Sequence, residues 1–174
     1  KSAKIKKINI IGNEIYTNEE LIDGFELSEG SFFSFLSNDN QYSREKLKGD
    51  IESLESFYRD RGYLKFSIES SQISLSRDKK SIFITFNVNE GKKYKINDVD
   101  VIGEVPFDEE VYIDIVESLK DTTYSQAAIT SIEEFFTNVL GNRGYAFAEV
   151  TGNPEINEET NEVKLIFAVE PGNR

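Results

Sequence analysis

The sequence predicts an α+β protein built from two tandem β-α-α-β-β modules, each a three-stranded mixed sheet packed against two helices. Three observations lead there: an internal repeat, apolar periods that switch between two and about 3.6 residues within each copy, and single glycines at the junctions. The run Ile5-Lys-Lys-Ile-Asn-Ile-Ile-Gly12 returns 91 positions later as Ile96-Asn-Asp-Val-Asp-Val-Ile-Gly103. Arg61-Gly62-Tyr63 returns 82 positions later as Arg143-Gly144-Tyr145. Ile82, Ile84, Phe86, Val88 and Gly91 return 81 positions later as Val163, Leu165, Phe167, Val169 and Gly172. The same signals in the same order define two units, residues 1–91 and 92–174.

Each copy opens with a strand that ends at Gly12 or Gly103. In the first, Thr17 with Glu20 three residues on is a capping-box signature, and Leu21, Ile22 and Phe25 supply the apolar face of a short helix. Its counterpart is expected after Asp108, with Val111, Ile115 and Leu119 at helical spacing and Glu109 and Glu110 at the positive end of the helix dipole. A longer second helix follows, with Ser43 as the expected N-cap, Leu47, Ile51, Leu54 and Tyr58 along one face, and Gly62 able to take the left-handed conformation that stops it. Ile129, Ile132, Phe136 and Val139 repeat that face before Gly144. Two strands joined by a polar turn close each copy, the turns being Arg77-Asp78-Lys79-Lys80 and Glu158-Glu159-Thr160-Asn161. The offsets of 91 and 82 differ by nine, so the first copy carries nine extra residues between its helices. They lie within Leu27–Gln41, where Phe32, Phe33, Phe35 and Leu36 gather. Such a concentration of large apolar groups is expected to fold back over the sheet or helices, the alternative being contact with a partner.

Composition narrows the function. A net charge of −12 with a pI near 4.6 argues against nucleic acid or an anionic membrane surface as partner, since phosphates are bound by clustered Lys and Arg. No stretch approaches the roughly 20 apolar residues of a membrane-spanning helix. With neither His nor Cys in the chain, Ser/His/Asp and Cys/His nucleophilic machinery and the usual zinc ligand sets cannot be assembled, and no cofactor is expected. The acid pairs Asp98 with Asp100, Glu133 with Glu134 and Glu158 with Glu159 fall on a strand, a helix surface and a turn, not across a cleft, which is no arrangement for glycoside hydrolysis. The chain reads as a binding or spacing module and not as an enzyme.

The feature with functional leverage is the strand after Tyr63. Its apolar parity slips, from Leu64, Phe66 and Ile68 to Ile73 and Leu75, which predicts a bulge near Glu69–Gln72, a device common at sheet edges. The next strand, Ser81–Glu90, alternates strictly and is expected at the sheet centre. One side of Leu64–Ser76 is then left open, as a template onto which another chain can add a strand. Ser71, Gln72, Ile73, Ser74 and Leu75 are its candidate partner-binding residues, and a proline at Ser74 is expected to spoil it. In the second copy Pro154 removes a backbone donor from the corresponding edge.

Short blocks in the right order give these features a relative. Leu47-Lys-Gly-Asp-Ile-Glu-Ser-Leu54, Tyr58-Arg-Asp-Arg-Gly-Tyr63 and Ser71-Gln-Ile-Ser-Leu-Ser-Arg-Asp-Lys-Lys80 resemble the third POTRA domain in the periplasmic arm of the bacterial outer-membrane β-barrel assembly factor. Leu140-Gly-Asn-Arg-Gly-Tyr-Ala-Phe147, Pro154-Glu-Ile-Asn157 and Val169-Glu-Pro-Gly-Asn-Arg174 are similar to the fourth. The resemblance spans almost the whole chain and departs from the family in the Phe-rich insertion and in Ser118-Leu-Lys-Asp-Thr-Thr123. It implies a periplasmic portion of an outer-membrane protein, continuous with further POTRA modules and a membrane barrel. It further implies binding of unfolded outer-membrane proteins and of accessory lipoproteins, a propeller-shaped one among them, by strand addition at Ser71–Leu75. A structural spacer, or the POTRA arm of a two-partner secretion or TamA-type transporter, is the alternative.

Overall fold

The computed structural model describes residues 2–35 and 40–174. The chain forms two compact units, one of Lys1–Tyr58 with Lys65–Gly91 and one of Arg59–Leu64 with Lys92–Arg174. The first contains β1 (Ser2–Ile11), α1 (Asn18–Ile22), β2 (Phe32–Ser34), α2 (Asn40–Arg59), β3 (Ser67–Leu75) and β4 (Ser81–Asn89). Its sheet runs β2-β1-β4-β3, with β4 parallel to β1 and antiparallel to β3. The second contains β5 (Lys95–Gly103), a 3-10 turn (Glu109–Val111), α3 (Ile113–Glu117), α4 (Gln126–Asn142), β6 (Glu149–Asn157) and β7 (Glu162–Glu170), in a sheet ordered β5-β7-β6. Both sheets are mixed; the second unit keeps the β-α-α-β-β order, and the first follows it with the short β2 added between its two helices.

The central strands set the packing. Ile82, Ile84, Phe86 and Val88 of β4, and Val163, Leu165, Phe167 and Val169 of β7, are buried on one face while the residues between them are partly exposed. That is the outcome of period-two alternation with one face covered. In the first unit Leu54 and Tyr58 of α2 join this core, Tyr58 stacking on Phe66 at 4.1 Å between ring centres. In the second, Ile129, Ile132, Phe136 and Leu140 of α4 do the same work. The first strands carry a bulge each, at Lys6 and Asn97, where the register against the central strand shifts. Three positions separate Ile5 from Ile8 and Ile96 from Val99, so the apolar alternation steps out of phase at each bulge.

The opening glycines have a physical reason in common. Gly12 and Gly103 sit at φ +98° and +96°, and a Cβ at either would run into the carbonyl of Val88 or Val169 on the neighbouring central strand. Only glycine lets the chain leave the sheet at that approach. Gly62 and Gly144, at φ +101° and +96°, stop the long helices in the left-handed conformation the sequence predicts.

Three expectations need correction. The Phe-rich insertion is not simply folded over the core: it supplies β2, a fourth strand pairing antiparallel with Ser2–Lys4 at the sheet edge. Phe33 is buried but Phe32 is 69% exposed, as alternation on a strand requires; Leu36 lies outside the described residues. Ser43 is no N-cap, because α2 already starts at Asn40; it is buried within the first turns and its hydroxyl accepts the Ser34 N–H at 3.0 Å. The helix expected after Asp108 is split at Tyr112, and Asp108 makes no capping bond. Tyr112 turns inward against Phe136, ring centres 5.1 Å apart, so Val116 and Leu119 are buried while Val111 and Ile115 stay exposed. By contrast Thr17 and Glu20 form the full capping box, and Ser125 caps α4 through Ala128 N–H.

Two buried carboxylates staple the first unit. Asp50, on the inner face of α2, accepts Glu26 N–H at 2.7 Å and Leu27 N–H at 3.0 Å, anchoring the start of the insertion. Burial pushes its pKa up, and those two donors pull it back in part. Glu90 accepts Glu14 N–H at 2.8 Å, Ile15 N–H at 3.2 Å and the Tyr58 hydroxyl at 2.7 Å. Ile132 and Pro171 occupy the matching positions of the second unit, which has no insertion to hold.

Replacing Asp50 by Ala should strand the buried Leu27 N–H and release the Glu26 N–H, at about 1–3 kcal/mol, read as a lower urea midpoint, with Asp50→Asn losing less because one acceptor remains. Gly103→Ala should cost at least about 1–3 kcal/mol from the strained backbone alone, in the same assay.

Candidate strand-addition edge

Four edges bound the two sheets, and the hydrogen-bonding groups along them meet different fates. On the outer side of β1, Ser31 C=O accepts Ile5 N–H at 2.8 Å, Gly30 N–H donates to Ile5 C=O at 2.7 Å, and the Glu29 carboxylate accepts Ile8 N–H at 3.3 Å. The insertion thus seals β1 with β2 and with one side chain. The outer side of β2 is itself blunted, since Ser34 N–H goes to Ser43. On β5, Ile96 N–H donates to Thr122 C=O at 2.8 Å, and Val99 N–H is taken by the Asp98 carboxylate at 2.9 Å.

The β3 edge is different. The strand pairs one-to-one with β4 from Ser70↔Asn87 to Leu75↔Ile82, after a bulge at Glu69 where the sequence places it. Opposed residues of an antiparallel pair alternate between exchanging both hydrogen bonds and exchanging none. Ser76 N–H donates to Ser81 C=O at 2.9 Å, and this fixes the phase. Ser74 and Gln72 bond inward to β4, whereas Ser71, Ile73 and Leu75 turn their N–H and C=O groups outward. Among the described residues no side chain takes up those outward groups. A proline at Ser74 would therefore damage the sheet's own ladder; Ile73 is the position where it subtracts from the open side.

The side chains reinforce this. Residues opposed in a ladder share a face, so Ile73 and Leu75 stand beside Ile84 and Ile82 on the core side. Ile84 and Ile82 are each 1% exposed, while Ile73 is 44% and Leu75 39% exposed. The core's apolar surface continues to the edge and stops there uncovered. Ser70, Gln72 and Ser74 occupy the opposite, polar face, where Ser70 accepts a bond from the Asn87 amide at 2.7 Å.

On β6 one of the matching donors is taken and another is missing. Its register against β7 places Gly152 opposite Phe167 and Pro154 opposite Leu165 without a bulge. With Phe86 laid on Phe167, a shift of 81, Ser71 falls on Gly152, Ile73 on Pro154 and Leu75 on Ile156. Gly152 N–H donates to the Glu133 carboxylate of α4 at 2.7 Å, so it faces outward and sets the phase. Pro154 then faces outward too, and has no N–H to offer. Glu133 escapes a reading as half of an acid pair: its partner is a backbone amide on the edge, and the signal for it was a carboxylate at the helix position where the first copy has Ile51. Three surface concavities of about 230, 240 and 280 Å³ are smaller than the roughly 300 Å³ at which small-molecule sites begin.

A family model described as POTRA, surface antigen variable number repeat, matches residues 3–91 and again residues 94–172. Over its whole length the chain is 29% identical to the outer membrane protein assembly factor BamA of Neisseria meningitidis serogroup B, of which it covers 22%. Over 96% of its length it is 28% identical to BamA of Buchnera aphidicola, covering 27% of that protein. It spans about a quarter of the length of these curated relatives. Among solved structures it is similar to POTRA domains 3–5 of Haemophilus influenzae BamA, with a TM-score of 0.87 at 24% identity, all of this chain and 68% of that one being covered. It is also similar to Haemophilus ducreyi BamA lacking POTRA domains 1–3, with a TM-score of 0.71 at 16% identity over 96% of this chain and 29% of that one. Two matches that together take in nearly every residue, on two copies of one β-α-α-β-β unit, mean that the chain belongs to the POTRA family and carries two of its modules in tandem.

Proposed function

We propose that this chain is a non-catalytic scaffold segment of the outer-membrane β-barrel assembly machinery, made of modules 1–91 and 92–174 and lying in the periplasmic portion of a bacterial outer-membrane protein. It is continuous there with further POTRA modules and a membrane barrel. Its working surface is the β3 edge, Ser71–Leu75, which takes extended segments of unfolded outer-membrane proteins and of accessory lipoproteins, including one of propeller type, as an added strand. The similarity to BamA over the full chain supports the setting. The observation that carries the binding mode is the outward phase of Ser71, Ile73 and Leu75 beside half-covered Ile73 and Leu75 side chains. Hydrogen bonds supply affinity and the alternating face selects register, because a one-residue slip turns every side chain of the added strand over. Among the described residues no helix is long and apolar enough to cross a membrane, so this segment offers strands and surfaces rather than a helical anchor.

Ile73→Pro tests this reading, since it removes an outward donor and leaves the β4 ladder whole. Capture of the assembly lipoproteins or of a urea-unfolded outer-membrane protein should fall at least about tenfold, the equivalent of roughly one hydrogen bond, with an unchanged circular dichroism spectrum. Undiminished capture sinks the proposal. Amide hydrogen exchange checks the geometry separately: Ser71, Ile73 and Leu75 should exchange quickly and Gln72 and Ser74 slowly, and even protection along the strand would contradict the phase.

A further inference from the structure

We propose that Glu133, Gly152 and Pro154 form a lock that closes the β6 edge, and that these three residues decide which of the two sheets accepts an added strand. This rests on the strand-addition reading of the first unit and extends it to a position-by-position difference between the copies.

A strand joining β6 from outside needs donors at Val150, Gly152, Pro154 and Ile156, the positions that share the outward phase. Pro154 offers none. The Gly152 donor already points at a carboxylate 2.7 Å away, and charge-assisted bonds of that length are the strong ones. An incoming carbonyl therefore has to displace Glu133 before it gains anything.

Gly152 is the part that lets the lock close. A Cβ there would stand 2.6 Å from Ile129 Cγ2 and 2.9 Å from the Phe167 ring. Any larger residue would push α4 away from the edge and draw Glu133 out of reach. The glycine carries no positive φ that would explain it as a turn residue. Close approach of the helix is the reason for it.

The first unit lacks each part. Glu133 corresponds to Ile51, whose side chain has no acceptor, Gly152 to Ser71 and Pro154 to Ile73. Three differences at three matched positions change one edge from closed to open. The remaining apolar character is kept, since Ile156 is 40% exposed where Leu75 is 39%. What separates the copies is thus the backbone chemistry of the edge and not its greasiness.

The test uses the 174-residue chain carrying Ile73→Pro, so that β3 is closed, and a synthetic peptide of about nine residues alternating valine and threonine, a length that covers one edge strand. Adding Glu133→Ala and Pro154→Ile should create binding at least about tenfold tighter than in the Ile73→Pro parent, with amide shifts confined to Val150–Ile156. Glu133→Gln with Pro154→Ile keeps an acceptor for Gly152 and should bind several-fold more weakly than the alanine version. No gain in the opened variant, or peptide binding at β6 while the lock is intact, overturns the proposal. Should the double variant fail to fold, Glu133→Ala alone decides: exchange of the Gly152 amide must rise about tenfold or more, and an unchanged rate refutes the lock. Wild-type binding indifferent to Ile73→Pro would instead defeat the first-unit reading, leaving the opened β6 to be judged by its own shifts.

Discussion

The contacts that hold each unit together are organised by one strand in which every second side chain is large and apolar. Ile82, Ile84, Phe86 and Val88, like Val163, Leu165, Phe167 and Val169, can be buried only if helices cover a single face, and the opposite face then stays polar. With four strands in one unit and three in the other, neither sheet can close on itself. Two edges per unit are the unavoidable result. The helices, the insertion and the capping side chains all answer the question of what becomes of the backbone groups along them.

Seen this way the Phe-rich insertion and the buried Asp50 belong together. Residues 29–34 run along the outside of β1, contribute β2 and bring Glu29 onto Ile8; Asp50 ties down the stretch before them and Ser43 receives the Ser34 N–H at the end of β2. The second unit, without the insertion, shields β5 with Thr122 and with Asp98. Different residues reach one end: the edge beside the first strand is occupied in both units, and the copies diverge on the opposite edge, β3 in one and β6 in the other.

Much of this was legible in the chain, and the parts that were not have identifiable reasons. Alternation and glycine placement located the central strands and the edge strand, and the parity slip between Ile68 and Ile73 located the bulge at Glu69. The same signal stood in Ile5–Ile8 and Ile96–Val99, where it was masked by the alternation that resumes after it. Ser43 misled because serine before an apolar stripe is the commonest sign of a helix start; here the helix begins earlier and the hydroxyl is used by the insertion. Tyr112 misled because Val111, Ile115 and Leu119 give a cleaner helical stripe than the one the aromatic cluster with Phe107 and Phe136 selects. The phase of β3 was out of reach of pattern reasoning, since alternation tells which face a side chain takes but not which way its amide points. One hydrogen bond, from Ser76 to Ser81, supplied it.

The bulge at Glu69 bears on time as well as on shape. It breaks the ladder's step, so an extended segment aligned with Ser71, Ile73 and Leu75 falls out of phase beyond Ser70. Three outward residues offer three donors and three acceptors, each worth about 0.5–1.5 kcal/mol net and set against the several kcal/mol lost on association. Under the proposed strand addition so short a ladder gives a weak contact, and at a given association rate a weaker contact lets go sooner. A longer edge without the interruption would keep hold of whatever paired with it. Under that proposal, the one extra residue shortens the length that can stay in phase and so favours brief contacts over lasting ones.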